Sequence, residues 1–395
     1  MRVYRELLRA PYAARLLGGT LLGRLPNGMG VLAIVLFTRG HGGSYALAGT
    51  LAALNGLAVA GQPVLGRLMD RYGQPPVLLV SSVLAAAGFV SFALLGVNAP
   101  VPAALAVIVA GFFTPPLEPG LRALWPAVLK EPAQVQAAYA MDAAAQELLF
   151  TLGPLLVIAS ALVSDTAPLY LTALLGIAGS LVVATSGPSR AWKGAPHSGD
   201  WAGALRSRGL RVLLAALGFI GLSLGVFNVA MVAYAEEIGH ASAAGWLMAT
   251  NASGALAGGL FYGSRNWSGA PEDRLPYLFA GLTAGYSLLM LTPGLPVMLL
   301  LAFGSGVFLA PTLACSFGMV EPLAPRGTVT EAFAWIIAAM TVGVSAGSAL
   351  AGIVQDHAGT RASLAGAGIG GAVALAVSLA GRIRLLRVVE QTPGA

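Results

Sequence analysis

Charge is scarce in this 395-residue chain: Asp, Glu, Lys and Arg together make up 10% of the residues, whereas soluble domains carry roughly 25%. The hydrophobic set reaches 57%, and the mean hydropathy is +0.79. An ordinary soluble fold is therefore excluded, and the lipid bilayer is the expected solvent. A membrane-spanning helix needs about 20 apolar residues, so the length suffices for twelve such helices with short connections.

Groups that carry enzyme chemistry are also few. The single cysteine, Cys315, excludes a disulfide framework and offers no metal cluster. The four histidines fall at loops or at the ends of apolar runs, and no GxxxxGK[ST] phosphate-binding loop is present, which excludes ATP-driven transport by this chain alone. We therefore expect no catalytic residue, no cofactor, no metal and no nucleic-acid partner, and we expect a monomer.

Long apolar runs dominate what is present. They predict an all-α membrane protein of twelve transmembrane helices in two six-helix bundles. The predicted spans are 12–38, 44–66, 76–97, 100–128, 133–163, 166–186, 208–235, 243–264, 274–292, 295–321, 327–354 and 360–381.

The basic residues predict the orientation. With the N-terminus in the cytoplasm, nearly all of the 22 Lys and Arg residues lie at inner span ends. We expect a multi-pass protein of the cell inner (plasma) membrane with both termini in the cytoplasm. The one long polar connection predicts a cytoplasmic linker, 187–207, between an N-terminal bundle, 1–186, and a C-terminal bundle, 208–395.

The chain contains a weak internal repeat. A shift of 196 positions superposes Asn55 on Asn251, in the second span of each half. A similar shift superposes the fifth span on the eleventh, with Pro132, Tyr139, Ala140 and Gly153 on Pro325, Phe333, Ala334 and Gly347. Two parallel repeats are typical of transporters in which one half rocks against the other about a midplane site.

A short motif carries a family resemblance. The segment GRLMDRYGQPP, Gly66–Pro76, follows the second span and resembles the GxxxDRxGRR signature of the Major Facilitator Superfamily, with a decayed copy, GLFYGSRNW, at Gly259–Trp267. The chain departs from the signature at Gln74 and Pro75, where basic residues are usual. Span four also lacks the Arg that many proton-coupled members carry, so assignment to the efflux branch rests on the Gly153–Pro154 pair of span five.

The resemblance implies an inner gate at this motif. Gly66 would allow two helices to approach closely, and Gly73 would permit a tight turn. Asp70 would cap a helix or pair across the gate, while Arg71 would supply a cation to an acidic partner. Glu331, at the start of span eleven, lies beside this loop in the family's fold, and we expect it to pair with Arg71 or its neighbours.

Ionisable residues inside the spans are candidate coupling groups, because a charge at the helix centre costs about 2.5–3.5 kcal/mol to insert. Arg24 and Glu147 lie at similar depths on neighbouring helices, and Glu147 is either the proton-titrating acid or half of a permanent ion pair. Glu118 and Arg122 lie four residues apart and either neutralise each other or serve the substrate or proton. Asp142 is a third candidate acid, nearer the inner face, where hydration is the simple expectation.

Polar and aromatic residues of both halves extend the candidate substrate cavity. Besides Arg24, Glu118, Arg122 and Glu147, it comprises Asn27, Asn55, Phe227, Asn228, Asn251 and Trp335. The sequence thus predicts a secondary transporter that works by alternating access, with proton-coupled export of a small organic molecule or drug as the first hypothesis. Proton-linked uptake of a metabolite or lipid-like solute is the alternative, and a non-transporting membrane receptor or scaffold is the alternative of another class.

Overall fold

The computed structural model describes residues 2–193, 202–240, 242–265, 267 and 269–390, without the side chains of residues 2, 45, 147, 150, 151 and 382–390. Within these ranges every regular element is a helix. In the first half of the chain the α-helices are α1 (Arg2–Arg9), α2 (Ala13–Gly40), α3 (Tyr45–Ala58), α4 (Gln62–Tyr72), α5 (Gln74–Leu95), α6 (Pro100–Phe112), α7 (Leu117–Val128), α8 (Pro132–Ala161), α9 (Ala167–Ala184) and α10 (Gly187–Ala191).

In the second half they are α11 (Arg208–Glu237), α12 (Ala243–Gly263), α13 (Pro271–Leu288), α14 (Leu295–Val307), α15 (Leu309–Gly318), α16 (Val320–Leu323) and α17 (Val329–Glu390). Short 3₁₀ turns are Val59–Gly61, Gly203–Arg206 and Leu289–Leu291. We call α1 to α9 the N half and α11 to α17 the C half.

Eight helical stretches of the described residues are long and apolar enough to cross a membrane. One of them, within α17, contains two helices, because Gly359 (φ 76°, ψ 179°) breaks the helical path there. Three further long helices are α8, α12 and α13. The helices are consistent with the twelve predicted spans, and the all-helical membrane fold is confirmed.

One local prediction needs correction. The signature motif is not a loop, because α4 continues to Tyr72 and only Gly73 (φ 87°) makes the turn into α5. Helix α2 runs unbroken through Pro26. The predicted span four, 100–128, is long and apolar enough to cross the membrane, and it bends between α6 and α7 because consecutive prolines at 115 and 116 have no N–H to continue the helix.

The two halves repeat the same internal contacts. Asn55 donates to the backbone oxygen of Val107 (2.9 Å), and Asn251 donates to that of Ala302 (3.2 Å). Two glycines permit these crossings. A Cβ on Gly111 would lie 2.2 Å from the oxygen of Asn55, and one on Gly306 would lie 2.0 Å from that of Asn251. These matching contacts fix which positions of the two halves correspond.

Among the described residues, the main contacts between the halves lie toward one end of the bundle. We call this end the N-terminal face, because α1 lies there. Helix α4 packs against α17, and α8 packs against α12 and α15, whereas α3, which continues α4 toward the opposite face, packs mainly against α2 and α6 of its own half. The molecule is therefore closed at the N-terminal face.

Candidate functional site

Close packing of α2 and α8 prepares the site. A Cβ on Gly28 would lie 2.5 Å from the backbone oxygen of Leu149, and one on Gly153 would lie 2.6 Å from the carbonyl carbon of Gly28. Only glycines allow this crossing. One turn before Gly28, Arg24 is therefore held against the inner part of α8, with 1% of its surface exposed.

Among the described side chains, four charged residues of α2, α7 and α8 form a network, which we call the charge cluster (Arg24, Glu118, Arg122, Asp142). Asp142 bridges both arginines, with Oδ1 2.6 Å from Nη1 of Arg24 and Oδ2 2.7 Å from Nε of Arg122. Glu118 also bridges both, with Oε2 2.8 Å from Nη2 of Arg24 and Oε1 paired with Nη2 of Arg122. The two cations and two anions balance.

The members of the charge cluster differ in exposure. The side chain of Glu118 is 10% exposed, whereas those of Arg24, Arg122 and Asp142 are 2%, 3% and 0% exposed. Buried ions need several partners to offset the loss of hydration, which explains why each carboxylate contacts two guanidinium groups. Glu118 is therefore the member that water reaches most readily.

Neighbouring residues complete the network. Arg24 also donates to the side-chain oxygen of Gln146, while its Nε has no acceptor. The Arg122 guanidinium carbon lies 3.6 Å from the ring centroid of Phe317, which belongs to the C half. The cluster thus touches the opposite half through one cation–π contact.

An aromatic triad (Tyr139, Phe317, Phe333) extends this link between the halves. The ring centroids lie 6.1 Å apart for both Tyr139 pairs and 6.2 Å apart for Phe317 and Phe333. Tyr139 and Phe333 are equivalent positions of the internal repeat. The triad therefore lies where the repeats meet, and the Tyr139 hydroxyl, 3.3 Å away, donates to the backbone oxygen of Arg122.

The structure changes two interpretations of the charged residues. Asp142 was expected to be hydrated near the inner face, but it is fully buried because two arginines converge on it. Arg24 was expected to face Glu147, and among the described side chains its carboxylate partners are Glu118 and Asp142. The side chain of Glu147 lies outside the described residues, so its coupling role stays a prediction.

The other predicted cavity residues do not converge on the charge cluster. Asn27 and Asn228 are exposed. Asn55 and Asn251 are buried and bonded to neighbouring helices, as described above. Phe227 is 2% exposed and packs edge-on against the ring of Tyr286, with centroids 5.8 Å apart, inside the C half.

Charged residues also close the N-terminal face, at the α4–α17 contact. Asp70 accepts hydrogen bonds from the backbone N–H groups of Thr330 (3.1 Å) and Glu331 (2.8 Å), which belong to the first turn of α17. A carboxylate is favoured at this end of a helix, where N–H groups lack intrahelical acceptors. A Cβ on Gly66 would lie 3.0 Å from the Cα of Glu331, so glycine permits this close approach.

Glu331 is the centre of the α4–α17 contact and is fully buried. Its carboxylate accepts two hydrogen bonds from Arg67, at 2.7 and 3.0 Å, and one each at 3.3 Å from the N–H of Ala204 and the indole of Trp335. Trp335 thus contacts the carboxylate of this closure, and its place in the substrate cavity stays a prediction. The partner from α4 is Arg67, not Arg71, which is exposed and lies 5.4 Å from the ring of Tyr72.

A cavity of about 330 Å³ lies between the halves near the N-terminal face. Its walls include Asp70, Arg122, Tyr139, Trp192, Glu321 and Phe333. Arg122 belongs to both the charge cluster and this cavity. Among the described residues no group of three or more His, Cys, Asp or Glu side chains could hold a metal ion.

Helical repeats, a buried charge cluster and a closure at one face define the class of a membrane transport protein. The Major Facilitator Superfamily model matches residues 16–223, more than half of the chain. The chain therefore belongs to this superfamily, and it is a transporter rather than an enzyme. None of the curated proteins matches the chain.

Solved structures share the fold at low sequence identity. The human organic anion transporter TETRAN is 17% identical, with a TM-score of 0.69 over 92% of this chain and 99% of that chain. A bacterial homologue of the iron transporter ferroportin, in an outward-facing state, is 13% identical, with a TM-score of 0.72 over 96% and 99%. The E. coli fucose:proton symporter is 15% identical, with a TM-score of 0.69 over 93% and 97%. These similarities show the fold alone.

Proposed function

We propose that the chain is a proton-coupled transporter of a small organic molecule, with Glu118 as the carboxylate that exchanges the proton. The observation that carries this proposal is the charge cluster. Glu118 is its most exposed member, and a group must contact water to exchange a proton. The superfamily fold already gives membrane transport by alternating access, so the proposal concerns coupling, direction and substrate.

Protonation of Glu118 would change several contacts at once. One carboxylate accepts from both Arg24 and Arg122, so a proton on it weakens two ion pairs together. Arg122 lies on the ring of Phe317, across the boundary between the halves. Protonation of Glu118 therefore alters a contact between the two halves. Coupling requires such a link, because the proton must change the balance between the conformers.

The charge balance favours an anionic group on the substrate. The cluster is neutral when both carboxylates are ionised, and one added proton leaves a net positive charge in a poorly hydrated site, which is costly. An organic anion that enters with the proton restores neutrality. Export of a cation against a proton would keep the cluster positive in both loaded states.

This argument favours the proton-linked uptake alternative over the export expected from sequence. Two structural relatives give precedents for its parts, because one is an organic anion transporter and another is a proton symporter. The orientation completes the proposal: the N-terminal face lies toward the cytoplasm of the inner membrane, and residues 1–186 and 208–395 rock as two bundles about the linker 187–207.

The test is a proteoliposome assay with an entrapped pH-sensitive dye. Small organic anions and cations are added in turn, at a fixed membrane potential, and substrate-dependent proton movement is recorded for either direction of the pH gradient. We expect an anion to move protons in its own direction. Glu118→Gln should abolish this proton movement while exchange of the substrate across the membrane survives.

The matched control is Glu236→Gln, an exposed carboxylate at the end of α11. It should behave as wild type. Glu147→Gln is the competing variant, and loss of coupling there with normal coupling in Glu118→Gln would transfer the role to Glu147. Movement of a cation opposite to the protons would restore the export hypothesis, and no solute movement under any gradient would support the receptor alternative.

A further inference from the structure

The N-terminal helix α1 lies at the closed face and touches both halves. Its main contacts are with α8 and α2, and Leu7 is fully buried there. Tyr4 is 8% exposed and reaches the C half, where its hydroxyl lies 2.9 Å from the backbone oxygen of Leu260 and 3.3 Å from that of Gly259. Arg5 and Arg9 are exposed on the other side of the helix.

Tyr4 fills a space in the C half that a side chain fills at the equivalent position of the N half. The offset of 196 that superposes Asn55 on Asn251 also superposes the turn glycine Gly73 (φ 87°) on Gly269 (φ 87°), and it sets Gly263 where the N half has Arg67. A Cβ on Gly263 would lie 2.4 Å from the Tyr4 hydroxyl oxygen and 2.7 Å from the Cβ of Ala140. The loss of a side chain at 263 therefore makes room for the phenol of α1.

The Tyr4 hydroxyl is a hydrogen-bond donor, and the end of α12 that it contacts presents backbone carbonyl groups, which are acceptors. Carbonyl groups in the last turn of a helix lack intrahelical donors and accept from outside groups. Leu260 lies in the last turn of α12, and its backbone oxygen accepts from the Tyr4 hydroxyl in addition to the N–H of Ser264. Asp70 does the converse at the first turn of α17, where N–H groups need an acceptor.

We propose that α1 is a latch and that Tyr4 is the positioning residue through which it holds α12 against α8, keeping the N-terminal face closed. Opening of this face separates α12 from α8, and α1 stays with α8, so the bond from Tyr4 to α12 breaks. The latch rests on alternating access, which the fold gives, and it does not require proton coupling or any particular substrate.

Burial raises the pKa of Tyr4 to about 12. The hydroxyl therefore keeps its proton and stays a donor throughout the physiological range. Glu6, Asp70 and Glu331 are acidic groups of the same face, but none accepts from the Tyr4 hydroxyl. We accordingly expect the contribution of the latch to closure to be the same at pH 6 and pH 8.

The experiment measures the width of the N-terminal face in the full-length protein. Spin labels are placed at Lys130→Cys and Arg265→Cys in a Cys315→Ser background, since Cys315 is the only native cysteine. Both label sites are exposed at this face, one in each half. Pulsed electron paramagnetic resonance at fixed pH and without substrate then gives the ratio of open to closed conformers.

Tyr4→Phe removes the donor and keeps the ring. We expect it to raise the open-to-closed ratio roughly 2- to 10-fold, the effect of one intramolecular hydrogen bond. Leu7→Ala, which weakens the docking of α1 on the N half, should raise the ratio in the same direction. Tyr12→Phe is the matched control, because Tyr12 is half exposed and makes no hydrogen bond to the C half, and it should leave the ratio unchanged.

An unchanged ratio in Tyr4→Phe overturns the proposal, whether or not Leu7→Ala shifts it, because the hydroxyl would then carry no part of the closure. A shift in Tyr12→Phe equal to that in Tyr4→Phe overturns it as well. The distance measurement stands apart from the transport assay: loss of coupling in Glu118→Gln leaves the latch untouched, and failure of the latch leaves the coupling proposal untouched.

Discussion

The N half and the C half share one backbone plan but differ in charge. Gly111 and Gly306 are equivalent, and the same offset sets Glu118 and Arg122 against Leu313 and Phe317. Gly153 crosses Gly28 as Gly347 crosses Leu222, which sets Arg24 against Gly218 and Asp142 against Ile336. Every member of the charge cluster thus has an uncharged counterpart, and Arg122 stacks on its own counterpart, Phe317.

The closing contacts show the same difference. Arg67 and Asp70 close the α4–α17 contact with charge, whereas their counterparts in the sequence of the C half, Gly263 and Asn266, carry no charge. Glycine packing and the Tyr4 hydroxyl close that side. The comparison teaches that one repeat, the N half, can carry the ionisable residues while the other repeat, the C half, supplies the uncharged surface that they contact. The predictions below test this division.

The largest effect is expected at the centre of the charge cluster. Asp142→Asn leaves two buried guanidinium groups short of a carboxylate, and we expect a loss of about 3–5 kcal/mol in the free energy of unfolding, seen as failed folding or a much lower melting temperature. Ile336→Val, at the equivalent position of the C half, should cost about 0.5–1.5 kcal/mol. Equal losses in thermal melts of the purified variants would contradict the division between the halves.

The next effect concerns closure by charge. Asp70→Asn keeps one acceptor oxygen but loses the charge that faces the first turn of α17, and charge-assisted hydrogen bonds contribute about 1.5–3 kcal/mol. We expect normal folding and insertion, a population shifted toward the open N-terminal face, and slower turnover. The spin labels at Lys130 and Arg265 measure the shift in the open-to-closed ratio. Normal turnover with an unchanged ratio would contradict the assignment of Asp70 to the gate.

The α8–α12 contact, which closes without charge, should be sensitive to the size of the side chain at Gly263. Gly263→Ala places a methyl group in the space of the Tyr4 hydroxyl, and overpacking of this kind costs about 1–3 kcal/mol. We expect the N-terminal face to open without a change in salt dependence. Gly245→Ala, on the same helix but with no atom within 4 Å of the new methyl group, is the control. The prediction fails if both substitutions act alike.

The smallest effect is the coupling between Arg67 and Glu331. The Arg67 side chain is 37% exposed, so hydration weakens the pair, and we expect a coupling energy of about 0.5–1 kcal/mol from the cycle of Arg67→Gln, Glu331→Gln and the double variant. A full charge swap should recover only part of the lost activity. The reason is that an arginine at 331 cannot accept from Ala204 and Trp335. Strictly additive effects would refute the contact.

The sequence predicts the features that depend on local composition. Apolar runs reveal spans because the bilayer demands them at every position, and the signature motif identifies the face where Asp70 and Gly66 meet α17. The sequence does not reveal that the partner of Glu331 is Arg67 instead of Arg71. Glu331 lies beside Gly66, so the residue next to Gly66 reaches it, while Arg71 lies one turn further along α4.

The burial of Asp142 is likewise invisible in its own segment. Its depth along α8 suggests hydration, and only the arrival of Arg24 from α2 and Arg122 from α7 removes the water. Sequence reasoning also missed two neighbours of the charge cluster, Gln146 and Phe317. Gln146 lies four residues after Asp142 on the same helix face, which could have indicated it, but nothing local indicates Phe317.

The charge cluster also has a consequence for how the chain is made. Arg24 leaves the ribosome 118 residues before Asp142, its partner at 2.6 Å. At synthesis rates of about 5–20 residues per second, this interval lasts roughly 6–24 s. During it α2 carries an unneutralised arginine whose insertion costs about 2.5–3.5 kcal/mol. Helix α2 therefore carries this cost until α7 and α8 are made, so the charge cluster sets the order in which buried charges are neutralised during synthesis.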